Sequence, residues 1–306
     1  MNDLVPKVEK YDATIVIPTF NRLDKLKLCL DALSMQECPD YRIEVIVVDD
    51  GGSDGTLEWV EQRALDFPVR LRGIANQGKG PAAARNTGMR ESSSELILNT
   101  DDDCKPAPGW VQAMIHFFQT HPDYSGAGGE IIRMRDTLIS FYIDSTGCMK
   151  QVGEPDDLLF LVTANTGFRK AALESIKGFN ERIPIAGGED YELAYRLRME
   201  GYKMALVPDA VVHHAHHDTL KGLVNMCVRH GKGMYFQKQM GVESVYPNSH
   251  DLKQLIVDIR DGVKSQFKQR GGSLKKRVAY SFFHVLRQLG IYHGYNGSEC
   301  KVSRTD

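Results

Sequence analysis

The sequence predicts an α/β fold, an open and mostly parallel sheet flanked by helices, with a C-terminal helical extension. Short β-branched runs alternate with helically spaced segments from Ala13 to Asn99, the pattern of repeated strand–helix units. The loops after those runs are rich in Asp, Asn and Gly, and a parallel sheet gathers its ligands at that carboxyl edge. A length of 306 residues accommodates one large domain plus an appendage.

Ala13-Thr-Ile-Val-Ile17 is a compact strand ended by Pro18, and Thr19-Phe-Asn-Arg22 is its loop. Leu26, Leu30 and Leu33 give Leu23–Met35 a helical stripe. Ile43–Val48 is a second strand that runs into the tight turn Asp49–Gly55, with a helix from about Thr56. A weaker strand at Val69–Ile74 leads to Asn76-Gln-Gly-Lys-Gly-Pro81 and a small-residue helix, Ala82–Met89. The apolar run Glu95–Asn99 is the fourth strand; Pro106, Pro108 and Gly109 then stop any strand and force a loop.

Regular alternation ends there. Tyr124–Met134 reads as a bent strand, Leu158–Phe168 as a strand and Ala171–Ile176 as a short helix. Tyr191–Glu200 is a helix buried through Leu193 and Leu197, which are i,i+4 neighbours. Met204–Val207 is a strand with Pro208-Asp209 as its turn, and Ala210–Val212 leads into His213-His-Ala-His-His217. Leu220–Gln239 is helical with a break at Arg229-His-Gly-Lys-Gly233.

The chemistry centres on Asn99–Trp110. Asp101, Asp102 and Asp103 are consecutive carboxylates where a strand leaves the sheet. Like charges this close repel, and burying them is costly without a cation or hydrogen-bond donors. A divalent ion with oxygen ligands is the simplest compensation, and Mg²⁺ commonly brings phosphate oxygens with it. Thr19/Asn21, Asp49/Asp50 and Asp101–Asp103 each follow a strand, so the three loops can line one nucleotide crevice. Glu189 and Asp190 follow Gly187-Gly188 at a helix start, where an acid is either a cap or a site residue. Four histidines in five residues suit metal ligation by one of them, the others being solvated or hydrogen-bonded.

Several classes are excluded. Net charge is −2, so no global field points to nucleic acid, and no recognition module is present. Six cysteines without a CxxC pair argue against a zinc ribbon or disulfide framework and suit a reducing compartment. Neither GxGxxG after the first strand nor GxxxxGK[ST] occurs, and Gly78-Lys-Gly80 is equally a plain turn. No signal-peptide core and no apolar run of about 18 residues is seen, so the expected location is cytoplasmic, at most against the inner face of the cell membrane.

Taken together, the motifs resemble the inverting family 2 glycosyltransferases of GT-A fold. The matching segments are IVIPTFNR (15–22), VVDDGGSDGT (47–56), NQGKGPAAARNTG (76–88), NTDDDC (99–104), NTGFRKAALESIKGFNE (165–181), GGEDYELAYRLRMEGY (187–202) and PDAVVHHAHH (208–217). The resemblance implies a nucleoside-diphosphate sugar donor, a UDP-sugar by default. Pro18, Thr19, Phe20, Asn21 and Asp50 would hold it, with Lys79 and Arg85 in a segment that often touches the donor. Asp101 and Asp103 look like the family's DxD pair, with Asp102 between them. Asp103 would hold Mn²⁺ or Mg²⁺, and Asp190 matches the family's catalytic carboxylate, with Glu189 and Gly188 on the acceptor side. His214 is the nearest match to a late metal-proximal histidine, although the doubled histidines leave His213, His216 and His217 as alternatives. The implied reaction is single displacement onto an acceptor hydroxyl of a glycan or lipid-linked acceptor, in cell-envelope polysaccharide or glycolipid synthesis.

The expected division is a GT-A domain at 1–218 and a helical extension at 219–306. Between Gly262 and Ser298 no acidic residue occurs, while Lys264, Lys268, Arg270, Lys275, Lys276, Arg277 and Arg287 do. Val278, Phe282, Val285, Leu286 and Leu289 share a helical face there, which fits either peripheral membrane contact through 262–298 or packing on the catalytic domain. Two other readings compete: a sugar-phosphate nucleotidyltransferase, whose Gly-rich basic loop IPTFNR does not match, and a non-catalytic nucleotide-sugar-binding scaffold.

Overall fold

The structure is a computed structural model that describes residues 10–242, 251–268 and 273–302. In chain order its elements are β1 (Ala13–Thr19), α1 (Leu23–Leu33), β2 (Ile43–Asp49), α2 (Thr56–Arg63), β3 (Arg70–Ala75), α3 (Gly80–Glu91), β4 (Leu96–Thr100) and β5 (Cys104–Pro106). There follow α4 (Trp110–Thr120), β6 (Tyr124–Arg133), α5 (Leu138–Thr146), β7 (Val152–Glu154), β8 (Asp157–Phe160), β9 (Asn165–Arg169) and α6 (Lys170–Ser175). The last five are α7 (Glu189–Met199), β10 (Lys203–His214), α8 (Leu220–Gln239), α9 (Leu252–Lys268) and α10 (Leu274–Val302).

Contacts divide the chain into two compact units. One draws on 1–132, 150–184 and 193–214, the other on 133–149, 185–192 and 215–306. The first unit holds an eight-stranded sheet in the order β3-β2-β1-β4-β9-β6-β10-β5. It is parallel across β3-β2-β1-β4 and antiparallel at β4–β9, β9–β6 and β10–β5. The first four strands are the ones expected, and both faces of β1, β2 and β4 are buried, as a helix-covered parallel sheet requires. Val16, Ile46, Val48, Ile97 and Phe168 form one core with Ala82, Ala84 and Met89 of α3 and with Leu193, Ala194 and Leu197 of α7. Gly167 lets α4 approach β9, since a Cβ there would sit 2.8 Å from the Phe118 ring. Trp110, fully buried, donates from Nε1 to Asn165 Oδ1 at 2.7 Å, tying the start of α4 to β9 beneath the carboxylate loop.

Four local expectations are corrected. The loop after Asp103 contains the short strand β5, paired to β10 with Pro106 opposite Val212; an edge strand tolerates proline because one row of its N–H groups has no partner to serve. β10 runs through Pro208-Asp209 without a turn, and the β5 register covers only Val212–His214, so Pro208 lies beyond that ladder. Leu158–Phe168 splits into β8, in a hairpin with β7, and β9 in the main sheet.

The fourth correction lies in the second unit. α8 is continuous through Arg229–Gly233 because its glycines are contact points rather than breaks. A side chain at Gly231 would collide with the Ile291 carbonyl of α10, and one at Gly233 with the Gly187 carbonyl. Gly231→Ala should therefore cost about 1–3 kcal/mol, read as a fall in Tm. The core of this unit joins Ile139, Tyr142 and Ile143 of α5, Leu223, Met226 and Cys227 of α8, and Tyr280, Phe283 and Ile291 of α10.

His230 of α8 is pushed down to about 4 by burial and by Arg287, Arg229 and His217. A histidine less basic folded than unfolded leaves the unfolded state holding more protons between pH 6.5 and about 4, so stability falls as pH drops through that window. His230→Gln should remove that part of the acid sensitivity, worth up to ~3 kcal/mol at the low end, in melting curves taken across the window.

Candidate functional site

The site in the first unit is built where β1, β2, β3 and β4 deliver their loops. The Asp50 N–H donates to the Thr19 carbonyl at 2.9 Å and the Asn76 N–H to the Asp49 carbonyl at 2.8 Å, which stitches the first three loops together. Asn21 sits at φ 51°, a left-handed conformation open to Asn, and its Oδ1 accepts from Ser53 N at 2.7 Å. Gly52 is required there, because a Cβ would come 2.8 Å from Asp49 Oδ1 and 3.1 Å from Asn21 N. The Asp50 carboxylate accepts from Asn76 Nδ2 at 2.6 Å and from Gly80 N at 2.9 Å, closing the loop that carries Lys79. Lys79 itself is exposed, Pro18 is partly buried, and Phe20 lies open at the rim.

Each of the three aspartates has its own environment. Buried Arg85 donates from Nη2 to Asp101 Oδ1 at 2.8 Å and stacks over the Phe179 ring. Asp102 is almost fully enclosed; Thr19 Oγ1 donates to its Oδ2 at 2.8 Å, and Arg22 Nη2 lies 2.7 Å from its Oδ1. Burial pushes Asp102 up to about 7; Arg22 opposes this, and Asp103 adds to it. The close guanidinium does not cancel the burial effect because Asp103 shares it. Arg22 Nη2 donates to Asp103 Oδ2, Lys25 Nζ lies 3.3 Å from the same oxygen, and His214 Nε2 is 3.4 Å from Oδ1. Burial would raise Asp103, but His214, Arg22 and Lys25 outweigh it and hold the group down at about 2. The two neighbouring carboxylates are thus shifted in opposite directions, the split expected of coupled acids in a crowded site.

The histidines separate by partner. The β10–β5 register sets His214 opposite Cys104, which brings its ring to Asp103. His216 is buried in the second unit, with Nε2 2.9 Å from Asp144 Oδ1, and His217 Nε2 is 3.3 Å from Arg229 Nη2. Among the described residues, the group of metal-ligand type is Asp103, Cys104 and His214, with one donor atom from each within 4.8 Å of the others. The Cys104 thiol is raised well above its ordinary value by burial and then by Asp101 and Asp103, and its Sγ lies 3.8 Å from the Ala164 carbonyl. That leaves a carboxylate oxygen and an imidazole nitrogen, a donor pair that fits Mn²⁺ or Mg²⁺ with phosphate oxygens completing the shell.

Glu189 and Asp190 open α7 in the second unit. Glu189 Oε2 accepts from Gly187 N at 2.7 Å, as a local cap does, and Asp190 Oδ1 is 2.9 Å from Tyr191 N. The Gly188 carbonyl accepts from Gln237 Nε2 at 3.0 Å, so α8 steadies the Gly187-Gly188 turn. Sequence reasoning missed Arg22, Lys25 and Asn76 as partners of the carboxylates. Arg22 ends the IVIPTFNR segment and Lys25 follows one helical turn later, but neither position by itself points to the aspartates.

A family description, Glycosyl transferase family 2, matches residues 14–177 of the 306. The chain belongs to glycosyl transferase family 2. A second description, Glycosyl transferase family group 2, matches residues 96–289. Glycosyltransferase AglE of Haloferax volcanii is 27% identical over 199 residues, covering 65% of each chain. The pre-mycofactocin glycosyltransferase of Mycobacterium tuberculosis is 26% identical over 224 residues, 69% of this chain and 44% of the relative. The chain therefore spans about two thirds or less of those two relatives. Among solved structures, the mannosyltransferase PcManGT from Pyrobaculum calidifontis, in complex with GDP-Man and Mn²⁺, superposes with a TM-score of 0.67 at 20% identity, covering 96% of this chain and 88% of that one. S. aureus TarS 1–349 in complex with UDP gives 0.54 at 15% identity, covering 96% and 92%. At these identities the likeness speaks for the fold, and the fold is the GT-A type that the family resemblance implied.

Proposed function

We propose that this family 2 chain transfers a sugar from a nucleoside-diphosphate sugar to an acceptor hydroxyl, with inversion, using a divalent ion held by Asp103 and His214. The observation that carries the reading is the convergence of Thr19, Asp50, Arg85 and the three aspartates at one sheet edge, with Asp103 Oδ1 3.4 Å from His214 Nε2. The named ligands of two structural neighbours, GDP-Man with Mn²⁺ and UDP, support a donor of this class.

Pro18–Asn21 and Asp50 would seat the nucleoside, with Asp101 and Asp102 toward the ribose and Lys79 and Arg85 toward the donor's charged groups. Arg22 and Lys25, which neutralise Asp103 in this structure, would turn to phosphate oxygens once a cation takes that role. The ion, when bound, offsets charge on the departing diphosphate. Asp190 would remove the proton from the acceptor hydroxyl as general base, with Glu189 and Gly188 on the acceptor side. Because the attack is direct, no covalent nucleophile is needed. Gly187 and Gly188, at φ 149° and 99°, occupy backbone conformations open to glycine and would let the loop adjust as the acceptor enters.

The division of labour between 1–218, donor-binding, and 219–306, facing the acceptor or a membrane, belongs to the same proposal. So do a glycan or lipid-linked acceptor, a role in envelope polysaccharide or glycolipid synthesis, and a place at the inner membrane face. The test is release of nucleoside diphosphate from a panel of UDP- and GDP-sugars, with Mn²⁺ and with chelator. Consumption of one donor in the presence of metal is expected. Consumption of none, by a protein that also binds neither nucleotide, would sink the reading.

A further inference from the structure

Helices α9 and α10 carry an uncovered apolar face. Leu252, Ile256 and Phe267 of α9 and Leu274, Val278, Phe282 and Leu289 of α10 are each between 45% and 69% exposed. These residues are not scattered. At about 100° per residue, Leu252, Ile256, Ile259, Val263 and Phe267 form one stripe of α9, and Leu274, Val278, Phe282, Val285 and Leu289 form one stripe of α10. The opposite side of α10 is the buried one, where Tyr280, Phe283 and Ile291 join the core of this unit.

The two helices pack on each other. Gly262 lies against the His284 ring, and His284 Nε2 is 3.1 Å from the Asp258 carbonyl oxygen. The short stretch between Lys268 and Leu274 makes the pair antiparallel. On each helix the apolar stripe is turned in the same sense, about a third of a revolution from the face given to the other helix. For antiparallel helices, that rotation brings both stripes to one side. The result is a two-helix apolar surface that begins at Leu252, ten residues before the 262–298 stretch singled out by composition.

Charge decides what covers it. Exposed Lys253 and Lys264 border the α9 stripe and Lys275 that of α10, whereas Arg260 at the same border is ion-paired with Asp261, Nε to Oδ1 at 2.9 Å. Asp258 and Asp261 fall on the far side of α9, and no acidic residue follows until Glu299. A second copy would set basic border against basic border, with no acid in the face to pair them. Among the described residues, no helix is long and apolar enough to cross a membrane. An apolar strip edged by lysine and arginine matches the interface of an anionic bilayer, where the side chains enter among the acyl chains and the cations meet the headgroups.

We propose that α9 and α10 together dock the chain on an anionic lipid surface through this face. Arg270, which lies outside the described residues, is not needed for it. The proposal deepens the membrane part of the reading above. It is tested without donor or metal, so failure of sugar transfer and failure of docking are separate results.

The full chain would be sedimented with phosphatidylcholine vesicles, with and without one part in three phosphatidylglycerol. Wild-type protein should partition onto the anionic vesicles, and more weakly as salt rises. Neutralising Lys253, Lys264 and Lys275 to Gln should lower the partition coefficient about fivefold per lysine. The variant Ile256→Asp/Phe282→Asp, altered only at exposed positions and checked for fold by circular dichroism, should lose binding altogether. Four results would overturn the proposal: no partition of the wild type, equal partition onto neutral vesicles, unchanged partition of the double variant, or self-association lost in that variant without any vesicle binding.

Discussion

Asp190→Asn should lower turnover about 10²–10⁴-fold, the range that positioned general acid–base catalysis contributes. Affinity for the nucleoside diphosphate should stay near the wild-type value. The amide keeps the shape of the carboxylate and its place in the first turn of α7, where Oδ1 is 2.9 Å from Tyr191 N, so the helix start survives. What is lost is the ability to accept a proton. Steady-state kinetics read this as a fall in kcat with an unchanged KM for the donor. A fall in affinity of the same size as the fall in turnover would instead make Asp190 a binding residue. Unchanged turnover would remove it from the base role.

Asp103→Ala should abolish the metal dependence of nucleotide binding and, with it, turnover. The Asp103 oxygen facing His214 is the anionic half of the proposed ligand pair, and Arg22 and Lys25 crowd the other oxygen. Removing the carboxylate takes away the acid that faces Lys25 and one of the two that face Arg22, a less favourable setting for any added cation. Residual, metal-independent affinity for nucleotide is then expected, because those bases attract phosphate directly. Binding that still rises with Mn²⁺ in the variant would place the ion elsewhere.

Much of this arrangement was legible in the residues themselves. The first four strands announce themselves as β-branched runs, and the acids after them fall where a parallel sheet exposes its carboxyl edge. The aspartates of 101–103 were readable as a charge problem in need of a solution. The identity of the solution was not readable. Arg22 and Asp103 are separated by 81 residues, and nothing local indicates that α1 leans its first turn onto the β4 loop. The histidine run posed the same difficulty. Composition sees His213, His214, His216 and His217 as equals, whereas strand register with β5 sets His214 beside Asp103 and a partly buried Asp144 takes the buried His216.

Where local rules misled, tertiary packing had overridden them. Pro208 marks a turn only if the strand needs its N–H, and β5 is too short to ask for it. Gly231 and Gly233 mark a break only if the helix stands alone, and α8 uses them to let the Ile291 and Gly187 carbonyls approach. The apolar stripe of α10 was visible from its spacing. Its continuation onto α9 required knowing that the helices pair and that their stripes face one way.

The measurement that bears most directly on the central claim is calorimetric titration of UDP, and separately of GDP, into the full chain with and without Mn²⁺. The account predicts that one of the two nucleotides binds, that Mn²⁺ strengthens the binding, and that Asp103→Ala loses the strengthening. Binding of neither nucleotide under either condition would contradict it.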